Sequence, residues 1–109
     1  MKKIFNKIKK LDKMDLKPIF VKIAKTTEEL GELSEVLLIE DGYKVSNKFS
    51  DKEDIRNHKL EEGVDVLIQA LSLLNTMGFT YDEVEKEFNK KCSKWENNIK
   101  KKKLGYKNF

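Results

Sequence analysis

The chain has 109 residues, enough for one domain with a small core. Hydrophobic residues make up 39% and charged residues another 39%, a balance that favours amphipathic helices over a sandwich of strands. The longest apolar run, residues 64–78, is too short and too polar to cross a bilayer, and no secretory leader is recognisable, so we expect a cytoplasmic protein. The single cysteine, Cys92, and the single histidine, His58, argue against a disulfide framework and a Cys/His zinc site.

Lysines are concentrated at the two ends of the chain. Residues 1–17 hold seven lysines against two aspartates, and residues 99–109 hold five lysines and no acid, so the centre is acidic. Such ends can contact nucleic acid, but Arg56 is the only arginine, and the guanidinium fork of arginine is what nucleic-acid recognition favours. We therefore interpret the ends as solvated tails, and expect neither nucleic acid nor a membrane as a partner.

The N-terminal residues predict a short amphipathic helix that packs on the bundle or on another subunit, since Ile4, Phe5 and Ile8 have helical spacing. A first long helix is predicted from Leu16 to Asp41, with Asp15 as its N-cap and Gly42 after its last turn. The apolar positions predicted to form its buried stripe are Ile19, Ile23, Leu30, Leu33 and Leu37.

Two further long helices each begin with a capping-box pattern. Ser50 and Glu53 open the second, which ends at Met77-Gly78, and residues 80–83 open the third, which ends before Gly105. The predicted stripe of the second helix is Leu60, Val64, Leu67, Leu71 and Leu74. The predicted stripe of the third is Val84, Phe88, Cys92, Trp95 and Ile99. The turn at residues 78–79 is short, so these two helices are predicted to be antiparallel neighbours.

The patterns together predict an all-α fold in a single domain over residues 1–109, with its core in residues 16–103. Three long helices and a short N-terminal helix form a bundle that oligomerisation completes. On these faces we interpret Cys92 and Trp95 as packing residues, and His58 as part of a charged surface. Residues 43–49 form a polar connection between the first two long helices.

Two acidic clusters stand out, each with a glycine inside a predicted helix: residues 28–32 and residues 61–65. Residues three apart on a helix are surface neighbours, so Glu29 can point at the same place as Glu32, and Glu62 at the same place as Asp65. Like charges repel, and a glycine inside a helix costs about 1 kcal/mol relative to alanine, so both clusters break local rules. Solvated glutamates are the ordinary explanation, but places where such rules fail are functional candidates.

A hard divalent cation would make this arrangement favourable. Mg²⁺ prefers oxygen ligands, keeps several waters, and sits between carboxylates and substrate phosphates. If the first two long helices pack antiparallel, four carboxylates can converge on one ion. Gly31 and Gly63 would then let the helix backbones, or a substrate, approach closely. The residues alone thus predict an acidic metal site, and not yet a reaction.

The sequence also resembles a known family. The run KTTEELGELSE at 25–35, followed by EGVDVL at 62–67, is similar to the paired E-E-x-x-E and E-x-x-D motifs of the MazG-like, all-α nucleotide pyrophosphohydrolases. Downstream, DVLIQAL at 65–71, MGF at 77–79, and EFNKK at 87–91 with Lys94 extend the likeness to about residues 18–96. The chain departs from the family pattern at Lys94, where an arginine is common, and in the order Gly63-Val64.

The resemblance implies a reaction, a cofactor and an assembly. The reaction would be hydrolysis of a nucleoside triphosphate, NTP or dNTP, to the monophosphate and pyrophosphate, in a homodimer or homotetramer with Mg²⁺ or Mn²⁺. Metal ligands would be Glu29, Glu32, Glu62 and Asp65. Either Glu28 or Glu61 would take the proton from the attacking water. Substrate contacts would come from Lys91, Lys94 and Asn89.

A different class of function stays open at this stage. A non-catalytic helical module, used for dimerisation or for binding nucleic acid through its lysine-rich ends, has the same helical pattern. Such a module predicts salt-dependent nucleic-acid binding that survives loss of the acidic clusters.

Overall fold

The computed structural model of the protein describes residues 1–107, with side chains for residues 1–103. This part of the chain forms helices without a strand: α1 (Lys2–Met14), α2 (Ile19–Glu40), α3 (Lys52–Thr76) and α4 (Tyr81–Lys107). The predicted all-α class is confirmed. Two units are distinguished, Met1–Gly78 with α1 to α3, and the segment from Phe79 onward with α4. The expectation of one domain over the whole chain stays a prediction.

The start of α2 differs from the prediction. The helix begins at Ile19 after Pro18 as its N-cap, and not at Leu16. A proline disfavours helical backbone in the residue before it, so Lys17 cannot continue a helix into Pro18. Asp15 is the C-cap of α1 instead of the N-cap of α2, and its carboxylate pairs with Lys17 at 3.1 Å. The predicted N-cap was therefore wrong.

The C-terminal ends of α2 and α3 follow the predicted glycine signals. Gly42 follows α2 with a φ of +79°, and Gly78 follows α3 with a φ of +90°, the left-handed conformation that favours glycine. The cap of α3 is shifted by one residue: Asp51, and not Ser50, accepts from the Asp54 amide at 2.8 Å. An aspartate is as good an N-cap as a serine, which explains the shift.

The cap of α4 is the predicted capping box. The Glu83 amide donates to Thr80 Oγ1 at 3.3 Å, and the Thr80 amide donates to Glu83 Oε1 at 3.2 Å. The predicted end before Gly105 was wrong, because the helix continues to Lys107. Cys92 and Trp95 are exposed on α4, and their role in packing stays a prediction.

Helices α2 and α3 are antiparallel, and polar side chains meet between them. We call these residues the polar seam: Lys22, Glu29 and Glu32 on α2, and Glu62 and Ser72 on α3. Lys22 of α2 contacts Ser72 of α3, and the Glu32 carboxylate of α2 approaches the Glu62 carboxylate of α3. Ten residues forward along α2 thus correspond to ten residues backward along α3. The buried residues of α2 are Lys22, Glu29 and Val36, seven residues apart and therefore about two turns apart on one face. Two of these three buried side chains are charged.

A buried ion pair fixes α1 on this pair of helices. Lys22 Nζ donates to Asp12 Oδ1 and to Ser72 Oγ, both at 2.8 Å. Ser72 Oγ donates to Asp12 Oδ1 at 2.7 Å, and Asn75 donates to Asp12 Oδ2 at 2.8 Å. Burial alone would raise the pKa of Asp12, but the bonds from Lys22, Ser72 and Asn75 outweigh it and lower that pKa. The network joins all three helices of the first unit.

The apolar stripes predicted for α2 and α3 are only partly covered. Among the described apolar side chains the fully buried ones are few: Phe5, Ile8, Val36 and Leu71. By contrast, several members of each predicted stripe are at least 40% exposed: Ile19, Ile23, Leu30 and Leu37 on α2, and Leu60, Val64 and Leu67 on α3. Within one chain these stripes are therefore largely uncovered, and their burial by oligomerisation stays a prediction. Within the described residues no helix is long and apolar enough to cross a membrane.

Candidate metal centre

Three of the four predicted metal ligands come together at the middle of the polar seam. Glu29 and Glu32 lie on successive turns of α2, and Glu62 lies on α3. One carboxylate oxygen from each residue lies within 4.8 Å of the other two. The antiparallel register fixes this meeting, because the Lys22–Ser72 contact lies two turns from Glu29. We call Glu29, Glu32 and Glu62 the carboxylate cluster.

The cluster contains polar atoms without partners among the described residues. Glu29 is 8% exposed, and its Oε2 atom is buried with no hydrogen-bond donor. The Oε2 atom of Glu62 is buried in the same way. A buried polar group without a partner costs free energy, so such atoms require an explanation, and an ion is one.

The electrostatics of the cluster agree with its crowding. Burial raises the pKa of Glu62 from 4.5 to about 7, with further contributions from the neighbouring carboxyls of Glu32 and Glu29. The pKa of Glu29 is also raised, first by burial and then by the charges of Glu32 and Asp65. A carboxyl whose pKa is raised keeps its proton to a higher pH, and a divalent cation that binds there would displace that proton.

Asp65 stands apart from the cluster. Its carboxylate is not among the three that lie within 4.8 Å of one another, although its charge acts on Glu29. Asp65 therefore contributes negative potential in this structure, and its direct ligation of a metal stays a prediction. A lysine of α2 pairs with the cluster: Lys25 Nζ lies 3.9 Å from Glu29 Oε1.

The two candidate proton acceptors differ in their surroundings. Glu28 is exposed and pairs with Lys25 at 3.7 Å. Glu61 is also exposed, but it lines the same cavity as Glu32 and Glu62. Glu61 thus shares a cavity with the cluster, and the choice between Glu61 and Glu28 as proton acceptor stays a prediction.

The predicted role of the two glycines needs correction. A Cβ atom built on Gly31 or Gly63 would meet no atom of the described residues within 4 Å, beyond the neighbours that any helical residue has. Close approach of the two helix backbones does not require these glycines. Approach of a substrate is the part of the expectation that remains.

The predicted substrate contacts lie on α4. Asn89, Lys91 and Lys94 are exposed, and the two lysines are three residues apart, which places them on neighbouring turns of the helix. Their contact with a triphosphate stays a prediction.

A cavity of about 400 Å³ lies beside the cluster. Its walls include Glu32 and Glu62 from the cluster, together with Glu35, Val36, Lys48, Phe49, His58 and Glu61. The rings of Phe49 and His58 are in contact, with centroids 4.7 Å apart and planes tilted by 59°. Sequence reasoning assigned His58 to a charged surface and gave Phe49 no role. An aromatic residue in an otherwise polar connection was the available signal for Phe49.

His58 is held in place by Asp54. Its Nδ1 atom lies 2.9 Å from the Asp54 carbonyl oxygen and 3.2 Å from Asp54 Oδ1. The pKa of His58 is raised, first by the Asp54 carbonyl and further by the charges of Asp54 and Glu61. The ring therefore forms a fixed wall of the cavity.

In comparisons with known proteins, no family model, no curated protein and no solved structure matches the chain. The resemblance to MazG-like pyrophosphohydrolases therefore depends on the motif residues alone, and family membership stays a prediction.

The donor set of the cluster suits a hard divalent cation. Three carboxylates supply oxygen ligands only, and two of their buried oxygens have no other described partner. Mg²⁺ and Mn²⁺ accept carboxylates and leave further positions for water or phosphate. The residues present thus fit the ion that the resemblance implies.

Proposed function

We propose that the protein is a Mg²⁺-dependent nucleoside triphosphate pyrophosphohydrolase. The observation that carries the proposal is the carboxylate cluster, in which two buried oxygens lack a described partner. A polar seam in a small helical unit reduces the apolar area that packing can bury. A metal-dependent reaction would explain why carboxylates, and not apolar side chains, meet between α2 and α3.

The roles follow from the chemistry of the residues. Glu29, Glu32 and Glu62 would hold the ion, and Asp65 would add negative charge beside it. When bound, Mg²⁺ neutralises phosphate charge and lowers the pKa of a coordinated water. Glu61 would accept the proton of the attacking water as the bond between the α-phosphorus and the bridging oxygen breaks and pyrophosphate leaves. Lys91 and Lys94 would contact the phosphates.

A pyrophosphate-release assay tests the proposal. Purified protein with Mg²⁺ or Mn²⁺ is offered a panel of NTPs and dNTPs, and release from at least one of them is expected. Glu32→Gln should lower the rate at least 100-fold, because it removes a charged ligand without changing the size of the side chain. Glu53→Gln, at an exposed acid in the first turn of α3, is the control and should retain full activity. Inactivity of the wild-type protein across the whole panel would refute the proposal.

The binding module without catalysis is the alternative. If wild-type protein is inactive, a gel-shift salt series with DNA and RNA tests that alternative directly. Binding that weakens with salt and is unchanged in Glu32→Gln would support it.

A further inference from the structure

The cavity beside the carboxylate cluster contains the proposed proton acceptor Glu61, and apart from the cluster residues the remainder of its wall has no role in the proposed reaction. The cavity is continuous with the cluster because Glu32 and Glu62 belong to both. Its volume of about 400 Å³ falls within the usual range of small-molecule sites, roughly 300–1,000 Å³. A molecule bound to an ion at the cluster can therefore extend into this space.

We propose that this cavity is the nucleobase subsite, in which the base of the substrate stacks on Phe49. The inference rests on the proposed function, since it assigns the other end of the same substrate. Phe49 is half-buried at the end of the connection between α2 and α3, and its ring is supported from one side by His58. His58 is in turn fixed by Asp54, so the aromatic wall is pre-organised.

The charges of the cavity decide which end of a nucleotide enters it. Apart from the cluster and the proposed proton acceptor Glu61, the acidic residue of its wall is Glu35, which would repel phosphate oxygens. Lys48 is the lysine in the wall, and it is already 3.6 Å from Glu35. A neutral base avoids this repulsion, while the phosphates would bind to the ion held by the carboxylate cluster.

Another cavity of the first unit suits a base less well. It has a volume of about 170 Å³ and contains no member of the carboxylate cluster. Lys17 and Lys22 in its wall are paired with Asp15 and Asp12. It also offers no aromatic ring for stacking.

Substitution of Phe49 tests the inference. Stacking of a base on an aromatic ring contributes about 1–3 kcal/mol, and a tenfold change in affinity corresponds to about 1.4 kcal/mol. Phe49→Ala should therefore raise KM for the best NTP about 5- to 100-fold. Phe49→Trp keeps a ring and should retain most of the affinity. Tyr43→Ala is the matched control, because Tyr43 is an aromatic residue of the same connection that is 84% exposed.

A probe without a base separates stacking from loss of fold. Inorganic tripolyphosphate, used as a competitive inhibitor, should have the same inhibition constant in wild type and in Phe49→Ala. Binding of Mn²⁺ alone, measured by calorimetry, should also be unchanged. An equal loss of tripolyphosphate and NTP affinity, or a KM in Phe49→Ala equal to that of Tyr43→Ala, would overturn the inference.

The outcomes also distinguish this inference from the proposed function. If wild type releases pyrophosphate and Phe49→Ala does so with unchanged KM, the subsite is wrong and the function stands. If wild type is inactive on every nucleotide, the function fails, and the subsite is tested by binding of adenosine monophosphate to the Mn²⁺-loaded protein. Weaker binding in Phe49→Ala would support the subsite without the reaction, and equal binding would reject it.

Discussion

Replacement of Glu62 by glutamine should change the stability of the protein in opposite directions with and without metal. In the metal-free protein at pH 8, the ionised Glu62 lies beside Glu29 and Glu32 and is partly removed from water. Glutamine has the same size and no charge, so Glu62→Gln relieves both the repulsion and the burial of a charge. The variant should therefore unfold at a higher temperature than wild type in the absence of metal.

The magnitude follows from the pKa of Glu62. A carboxyl whose pKa is about 7 in the folded protein and 4.5 otherwise favours folding when protonated, and this contribution is lost as the pH rises through 7. Each tenfold step in proton affinity is worth about 1.4 kcal/mol, so the cost at pH 8 has an upper bound of roughly 3 kcal/mol. Because water reaches the half-buried side chain, we expect about 1–2 kcal/mol, or roughly 4–15 °C for a domain of this size.

Metal should reverse the order of the two proteins. At a metal concentration 100 times its dissociation constant, binding stabilises the folded state by about 2.7 kcal/mol. Wild type should gain this amount with Mg²⁺ or Mn²⁺, and Glu62→Gln should gain little, since a ligand is lost. At pH 5 without metal the difference between the two proteins should be much smaller than at pH 8, because Glu62 is then mostly protonated in the folded protein.

Thermal melts at pH 5 and pH 8, with chelator or with Mn²⁺, measure all four conditions. Glu53→Gln is the control, because Glu53 is exposed, lies in the first turn of α3 and is not part of the carboxylate cluster. A variant that is less stable than wild type in chelator at pH 8 would refute the electrostatic reasoning. Equal stabilisation of wild type and variant by Mn²⁺ would refute the metal assignment.

Three further predictions concern the rest of the molecule. Asp12→Asn should destabilise the protein by about 2 kcal/mol at pH 7, because Lys22 loses its buried charged partner. The difference in stability should shrink as the pH falls through the lowered pKa of Asp12. Urea titrations of both proteins at pH 7 and pH 3 measure it. Gly63→Ala should raise stability by about 0.5–1 kcal/mol in denaturant titrations, since no described atom opposes a Cβ there, and should lower activity if the substrate approaches this backbone. Light scattering after gel filtration should give a dimer or tetramer that dissociates in Leu30→Glu, because exposed apolar stripes favour association.

Local signals in the sequence were sufficient for the helices and most of their ends. Gly42, Gly78 and the Thr80 capping box act through their immediate neighbours, so a pattern in a few residues determines them. Pro18 acts just as locally. It disfavours helical backbone at Lys17, so α2 begins at Ile19 and the predicted start at Leu16 was wrong. The meeting of Glu29, Glu32 and Glu62 was predictable too, from spacing and an assumed antiparallel pairing.

The buried faces were not predictable in the same way. Hydrophobic spacing indicates which face of a helix is apolar, but not what covers that face. Ile23, Leu30 and Leu37 form such a face and are exposed, while Lys22, Glu29 and Val36 face α3. Lys22 is buried only because Asp12 and Ser72, far away in sequence, neutralise and bond it. The aromatic wall needs two segments as well, since Phe49 and His58 come from a connection and a helix.

The polar seam and the exposed apolar faces have one physical explanation. A small unit that places carboxylates between its own two long helices gives up the apolar contacts that would hold those helices together. The Asp12–Lys22 ion pair and its hydrogen bonds restore the register, but buried ion pairs contribute little net stability. We expect the missing stability to come from burial of further apolar surface, and Leu30 on α2 and Leu60 on α3 are among the exposed side chains that a second copy of the chain would cover. Association should therefore contribute to the stability of the very helices that hold the cluster, so Leu30→Glu should weaken Mn²⁺ binding although Leu30 is not a ligand.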